Sequence, residues 1–136
     1  MRLWHYALIP YLPKSQLLAQ WRELNSIFKN QPKHILINYI YEYPKTDLFS
    51  YSNKIINELI INRGYKIKSM NNFNNYFAKE ISQDYMVNTP FRNHHNFRYL
   101  QQCFYNLQEK FDRGQTDFSQ QQYEALNELM KKEIPF

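Results

Sequence analysis

Apolar residues recur at three- and four-residue spacing in four parts of the chain, and this spacing predicts four amphipathic helices. The expected helices span residues 15–28, 46–63, 93–113 and 119–132. In each of them the leucine, isoleucine and aromatic residues fall on one side, which buries that side against the rest of the protein. The pattern therefore indicates an all-α fold with three to four main helices.

Residues at the ends of these helices support the boundaries. Ser15 and Ser119 precede apolar periodic stretches and are expected N-caps, because a serine side chain accepts a hydrogen bond from a free N–H of the first turn. Gly64 and Gly114, the only glycines of the chain, follow the second and third helices. Glycine adopts the left-handed conformation that often closes a helix, so we expect both to do so.

The segments outside the four helices are harder to interpret. Residues 1–13 are apolar and aromatic, and Pro10 and Pro13 argue against a helix, so we expect an extended segment that is threaded between the helices. Residues 29–45 contain a β-branched and aromatic run that is compatible with a short strand or with a packed helix. Residues 65–92 are rich in asparagine and are predicted to form a long irregular connection.

Length and composition favour one compact domain over residues 1–136. Two glycines in the whole chain are too few for a turn-rich β-sandwich or for a glycine-rich phosphate loop. Cys103 is the only cysteine, which excludes an intrachain disulfide and a multi-cysteine metal site and favours a reducing compartment. No apolar run has the length of a signal peptide or of a membrane span. We expect a cytoplasmic monomer that does not bind a membrane and needs no metal or other cofactor.

Positive charge is concentrated in the first half of the sequence. The formal net charge of the chain is +5, with +6 in residues 1–68 and −1 in residues 69–136. A basic half attracts a polyanion, so nucleic acid is a candidate partner. Aromatic residues are interleaved with lysines near residues 65–76, a pattern that permits base stacking and phosphate contacts, although we favour ordinary loop packing. The residues concerned are Tyr65, Lys66, Lys68, Phe73 and Tyr76.

The histidines and the cysteine do not form a recognisable metal or nucleophile motif. His5 has no companion at ligand spacing and is interpreted as a hydrogen-bonded structural residue. His94 and His95 are adjacent, so on a helix they point about 100° apart and cannot both bind one metal ion. We interpret them as residues of the helix start or as phosphate contacts. Cys103 lies within an apolar stretch and is expected to be unreactive.

The N-terminus and the first helix carry the candidate chemistry. Met1 has a free α-amine beside Arg2, and Glu23 lies on the first helix, seven residues after Gln16 and on the same side of it. An amine and a carboxylate brought together can act as a nucleophile and its proton-transfer partner. The alternative is that Arg22 and Glu23 are a solvent-exposed flank of the helix.

Three short motifs resemble the pyrimidine-dimer DNA glycosylase (endonuclease V) family. They are MRLW at the start followed by LLAQWREL in the first helix, RGYKIK at residues 63–68, and LQEK at residues 107–110. The resemblance implies an all-α DNA repair glycosylase that is also an abasic-site lyase. In this family the N-terminal α-amine attacks deoxyribose C1′, a Schiff base forms, and β-elimination cuts the strand on the 3′ side.

The resemblance assigns roles to individual residues. Met1 becomes the nucleophile, because the size of Arg2 disfavours removal of the initiator methionine, and Glu23 matches the catalytic carboxylate. Ser26 and Asn106 stand where the phage enzyme of the family has arginines, so lyase chemistry is better supported than specificity for pyrimidine dimers. The expected contacts to double-stranded DNA come from Arg2, Gln16, Arg22 and Lys110.

Two other functions remain open at this point. The chain is also compatible with a non-catalytic module that binds nucleic acid through its basic half. It is equally compatible with a related lyase that acts on a different damaged base.

Overall fold

A computed structural model describes residues 1–78 and 86–133. The described residues form helices and turns and contain no β-strand, which confirms the all-α prediction. Two 3-10 helices, Tyr6–Tyr11 and Asn38–Glu42, precede the first and second α-helices. The α-helices are α1 (Lys14–Asn30), α2 (Lys45–Asn57), α3 (Asn71–Phe77), α4 (Phe97–Asp112) and α5 (Gln120–Glu133).

The N-terminal segment is threaded between helices, as predicted. Leu3 and Trp4 are buried, and their carbonyl groups face two different helices. The hydroxyl of Tyr51 in α2 donates a hydrogen bond to the Trp4 carbonyl at 2.6 Å, and the hydroxyl of Tyr99 in α4 donates to the Leu3 carbonyl. Each buried carbonyl thus has a partner, which a buried backbone group requires.

The extended conformation expected for residues 1–13 is wrong beyond His5. A 3-10 helix spans Tyr6–Tyr11 and contains Pro10. The ring of His5 accepts a hydrogen bond from the Ala7 N–H at 3.1 Å and so caps this short helix. A short 3-10 helix tolerates proline because a proline removes only one of its few backbone hydrogen bonds.

Helix α1 begins at Lys14, so the prediction that Ser15 is its N-cap is wrong. Pro13 occupies the cap position and provides no side-chain hydrogen bond. The Ser15 N–H instead donates to the carboxylate of Asp117 at 2.6 Å, and Asp117 lies in the loop between α4 and α5. A carboxylate distant in sequence thus satisfies a free N–H of the first turn, a contact that local patterns do not predict.

Residues 29–45 form no strand. The helical alternative holds for the 3-10 helix Asn38–Glu42, and Ile37 and Ile40 are buried there. This short helix leads into α2 through Pro44, the N-cap of α2.

The second helix ends where it was predicted to end, but with a local change of geometry. Helix α2 continues into one π-helical turn, Glu58–Asn62, and Gly64 then has a φ angle of 69°. This left-handed conformation confirms the predicted role of Gly64. The guanidinium group of Arg63 donates a hydrogen bond to the Leu12 carbonyl at 2.7 Å, which ties this end of the helix to the N-terminal region.

The prediction of an irregular connection over 65–92 is wrong for its centre, where α3 forms, while 79–85 fall outside the described residues. Phe73 of α3 is buried, with its ring centroid 5.8 Å from that of Phe28 and 5.7 Å from that of Phe49. Phe73 is therefore a core residue and is not available to stack on a base.

Helix α4 starts at Phe97, later than predicted, because Asn96 is its N-cap and accepts a hydrogen bond from the Tyr99 N–H at 3.0 Å. The side chain of Phe97 was expected on the buried side but is 38% exposed. Gly114 closes the helix with a φ angle of 82°, as predicted.

Helix α5 has the predicted serine cap. The Ser119 hydroxyl accepts a hydrogen bond from the Gln122 N–H at 3.1 Å, and the Gln122 side chain accepts one from the Ser119 N–H at 3.0 Å. This reciprocal pair is a capping box. Among the helices that the structure describes, none has the length and apolar character to cross a bilayer.

Candidate active site

A cavity of about 240 Å³ lies where the N-terminal segment meets α1 and α4. It brings together five of the six residues that the sequence nominated, and the sixth, Arg22, faces elsewhere. The lining residues are Met1, Arg2, Trp4, Gln16, Glu23, Leu36, Asn106 and Lys110.

Glu23 is the only carboxylate among the residues that line this cavity. The backbone N–H of Arg2 donates a hydrogen bond to it, and the side chain of Gln20 donates a second at 3.0 Å. Burial raises the pKa of the Glu23 carboxyl above its ordinary value, while these hydrogen bonds and the positive charges of the Met1 amine and of Arg22 act in the opposite direction. The carboxylate is therefore a stronger base than an exposed glutamate.

Gln20 is a site residue that the sequence reasoning missed. It is 1% exposed, and its side-chain amide makes three hydrogen bonds and one further polar contact. The Nε2 atom donates to the Arg2 carbonyl and to the Glu23 carboxylate, each at 3.0 Å. The Oε1 atom accepts from the Trp4 N–H at 2.8 Å and lies 3.0 Å from the Tyr51 hydroxyl. Both N–H groups and the oxygen of this buried amide thus have hydrogen-bond partners.

The sequence did contain a signal for Gln20. It lies three residues after Leu17 and four residues before Leu24, on the buried side of α1. A polar residue in the centre of an apolar stripe needs partners inside the protein. Here the partners are the N-terminal segment and the carboxylate.

Arg2 links the cavity to helix α4 through its side chain. The guanidinium carbon lies 5.7 Å from the centroid of the Tyr99 ring, within the range of a cation–π contact. Tyr99 also holds the Leu3 carbonyl, so this tyrosine fixes both the backbone and a side chain of the N-terminal segment.

Beneath the N-terminal segment lies a buried pair of neutral histidines. His5 accepts a hydrogen bond from the Ala7 N–H through Nδ1, so its Nε2 carries the proton and donates to the His95 carbonyl at 2.9 Å. These two hydrogen bonds and its burial confirm that His5 is a hydrogen-bonded structural residue, and burial lowers its pKa to about 4. Burial also lowers the pKa of His95, to about 2, and the hydroxyl of Tyr39 lies 2.6 Å from its Nε2.

The two adjacent histidines differ in their surroundings. His95 is 3% exposed, so a phosphate contact is wrong for this residue, which instead directly precedes Asn96, the N-cap of α4. His94 is exposed and also precedes α4, and its Nδ1 lies 2.7 Å from the hydroxyl of Tyr43. Cys103 is fully buried, and burial raises the pKa of its thiol, which agrees with the expected lack of reactivity.

Arg22 lines a second and larger depression, which we call the basic groove, on the other side of α1. Its volume is about 750 Å³, and it lies between α1 and the chain around residues 66–72. Its cations are Arg22, Lys29, Lys66 and Lys68, and no acidic residue is among its lining residues. The groove thus has the charge that suits a phosphodiester backbone.

Ser26 and Asn106, at the two positions that depart from the family pattern, lie in different places. Ser26 lines the basic groove, whereas Asn106 lines the cavity of Glu23 and donates a hydrogen bond to the Gln102 carbonyl at 2.9 Å. Lys110 is one turn from Asn106 on α4 and provides a cation at the edge of the cavity.

A family model described as pyrimidine dimer DNA glycosylase matches residues 1–72 of the chain, which is slightly more than half of its 136 residues. The matched region contains Met1, Arg2 and Glu23 together with the whole of α1, and Lys110 lies beyond it. Searches of curated proteins and of solved structures gave no match.

Proposed function

The chain belongs to the pyrimidine dimer DNA glycosylase family, and from this premise we propose that it is also an abasic-site lyase that acts through the Met1 α-amine and the Glu23 carboxylate. The observation that carries the proposal is that both residues line one cavity, with the Arg2 N–H hydrogen-bonded to the carboxylate. A nucleophile and a proton acceptor that line one cavity support a covalent mechanism.

The reaction begins with attack of the neutral amine of Met1 on deoxyribose C1′. The bond between C1′ and the base breaks, and its electron pair leaves with the base, which takes up a proton. The nitrogen then loses a proton and its lone pair opens the sugar ring, and that proton ends on O4′. The product is a Schiff base between the protein and an open-chain sugar.

Strand cleavage follows by β-elimination. The carboxylate of Glu23 accepts the proton from C2′, the C3′–O bond breaks, and the phosphate on that oxygen leaves with the bonding electrons. Water hydrolyses the remaining Schiff base and releases the Met1 amine. A carboxylate of raised basicity suits the removal of a proton from carbon.

An α-amine suits this role better than a lysine. Its ordinary pKa is about 7.7–8.0 against about 10.4 for lysine, so at neutral pH a far larger fraction of it is uncharged. The uncharged form is the nucleophile, and a Schiff base forms only from it.

We assign the cationic side chains of the site a role in binding the phosphates of DNA. Arg2 and Lys110 line the cavity, and their positive charges support a role in binding the phosphates that flank the reacting sugar. The basic groove, which includes Arg22, holds the same strand further along its path. Because Arg22 and Glu23 are consecutive in α1, a strand that crosses this helix contacts both depressions. Extrusion of a nucleotide next to the lesion exposes C1′ to the amine.

Borohydride trapping tests the proposal. A single-stranded oligonucleotide with one abasic site is incubated with the protein and sodium borohydride, which reduces a Schiff base to a stable covalent adduct. We expect an adduct that disappears when the Met1 amine is blocked by reductive methylation and that maps to the N-terminal peptide. Glu23→Gln is expected to keep trapping but to lose strand cleavage, and Glu109→Gln, an exposed change on α4, is the matched control.

Absence of an adduct, or an adduct that maps to a lysine, would contradict the proposal. Salt-sensitive DNA binding without any cleavage would favour the non-catalytic binding module instead. Cleavage of abasic DNA together with inactivity on ultraviolet-irradiated DNA would favour a lyase for a different damaged base.

A further inference from the structure

A short turn at the edge of the active-site cavity exposes two adjacent apolar side chains. Ile35 is 86% exposed and Leu36 is 41% exposed, and Leu36 also lines the cavity that contains Glu23. Met1, in the same cavity, is 38% exposed. Single exposed apolar residues are common on proteins, but here they are adjacent and at the mouth of the site.

The backbone holds these side chains in place. The Leu36 N–H donates to His34 Nδ1 at 3.1 Å, and the Asn38 side chain accepts from the His34 N–H at 2.7 Å. The His34 carbonyl accepts from the N–H groups of Ile37 and Asn38, each at 2.9 Å. Ile37 is fully buried and anchors the turn to the core. The turn is therefore a built feature that presents its apolar residues to solvent.

We propose that Ile35 and Leu36 form a wedge that enters the base stack of duplex DNA beside the nucleotide whose C1′ enters the cavity. This inference rests on the proposed function, because it assigns the wedge to the extrusion step of the same site. Apolar side chains inserted between base steps are an established means of unstacking and kinking a duplex.

The surroundings of the turn fit DNA better than an apolar partner. Lys33 and His34 precede the wedge and are exposed, and because His34 Nδ1 accepts from Leu36, its Nε2 carries a proton that can be donated to a phosphate. Arg2 and Lys110 lie on the cavity behind it. The apolar side chains can contact the faces of the bases, while the neighbouring cations can contact the phosphates on either side.

The wedge gives extrusion a physical mechanism. A nucleotide that leaves the stack leaves a gap, and the neighbouring bases close it unless another group fills it. Two branched aliphatic side chains fill such a gap and exclude water from it. Leu36 contacts both the gap and the cavity, so the same turn that opens the stack borders the place where the sugar reacts.

The test uses Ile35→Ser, Ile35→Met and the control Ile61→Ser. Ile61 is 72% exposed and lies in the π-helical turn after α2, outside the lining residues of both depressions. Both substituted residues are exposed, so the three variants are expected to fold normally. Each variant is assayed on duplex DNA with one cyclobutane dimer and on a single-stranded oligonucleotide with a preformed abasic site. A third measurement is the fluorescence of 2-aminopurine next to the dimer, which increases when the base unstacks.

Ile35→Ser is expected to slow cleavage of the duplex about tenfold or more, because it removes the larger part of the wedge, and to abolish the 2-aminopurine signal. Trapping on the single strand should not change, since no stack has to be opened there. Ile35→Met should retain both duplex signals because methionine is also apolar, and Ile61→Ser should match the unmodified protein.

If Ile35→Ser reduced cleavage of the duplex and trapping on the single strand equally, the wedge proposal would be overturned. An unchanged rate of duplex cleavage for Ile35→Ser would overturn it as well. Failure of the proposed function looks different, because the unmodified protein would then form no adduct on the abasic single strand. The 2-aminopurine signal still tests the wedge in that case, since it depends on binding and not on chemistry.

Discussion

The side-chain nitrogen Nε2 of Gln20 lies 3.0 Å from a carboxylate oxygen of Glu23 and also 3.0 Å from the backbone carbonyl oxygen of Arg2. One side chain thus sets the position of the proposed base and of the segment that carries the proposed nucleophile. Since Gln20 is buried and fully hydrogen-bonded, it holds this geometry before any DNA binds. Gln20 is accordingly a positioning residue of the site.

Substitution of Gln20 by leucine should reduce both activity and stability. It removes the hydrogen-bond partner of the Trp4 N–H and of the Arg2 carbonyl, at a cost of about 1–3 kcal/mol for each buried group. In the unmodified protein, the hydrogen bond from Gln20 lowers the pKa of Glu23. Its loss in the variant therefore raises that pKa further, and the acid limb of the pH–rate profile moves to higher pH. The measurement is the rate of strand cleavage against pH. Gln121→Leu, an exposed change on α5, should leave both the limb and the stability unchanged.

Substitution of Glu23 by glutamine should reduce strand cleavage by roughly 10²–10⁴-fold, the usual contribution of general base catalysis. It should also stabilise the protein at neutral pH. The pKa of Glu23 is raised in the folded state, so folding favours its protonated form, and this contribution to stability is lost as pH rises above the unfolded pKa. Thermal unfolding should therefore show a higher midpoint for the variant at pH 7 and a smaller difference at pH 4. A lower midpoint at pH 7 would show that the carboxylate is a net stabilising group.

Local sequence patterns predicted the parts of the fold that depend on local physics. The left-handed closures at Gly64 and Gly114 and the serine cap at Ser119 follow from backbone sterics and from contacts within one helical turn. The cap of α1 was not predictable in this way, because Asp117 reaches Ser15 from a loop about 100 residues away. Such a contact exists only once the chain has folded.

The candidate active site also combines residues that the sequence identified with contacts that only the fold reveals. Met1 and Glu23 were identified through a family resemblance, and the fold brings them to one cavity. The role of Gln20 depends on four partners from three elements of the fold, which periodicity alone does not reveal. Phe73 shows the opposite case, since base stacking was one of its two possible roles and the fold buries it in the core, while Lys66 and Lys68 of the same stretch line the basic groove.

Neutralisation of Lys66 and Lys68 should weaken DNA binding in a manner that depends on salt. Both line the basic groove, are exposed and have no acidic neighbour among its lining residues. If each releases one counterion on binding, the double change to glutamine should reduce the slope of log K against log salt by about 2. Binding isotherms at several salt concentrations measure this slope. The matched control is the double change Lys131→Gln and Lys132→Gln in the last turn of α5. It also removes two positive charges and should leave the slope unchanged.

The two buried histidines should make the protein sensitive to acid. The pKa of His5 is lowered to about 4 and that of His95 to about 2, against about 6.5 in an unfolded chain, so between these values the unfolded state binds more protons than the folded state. Their stabilising effect is fully present above pH 6.5 and is lost as pH falls, by up to about 1.4 kcal/mol per pH unit for each histidine. Urea unfolding at pH 7, 6 and 5 should show this loss, and His5→Asn should make the dependence shallower. His34→Asn is the control, because His34 is exposed and should not alter the slope. A slope that is the same in all three proteins would mean that other groups cause the acid sensitivity.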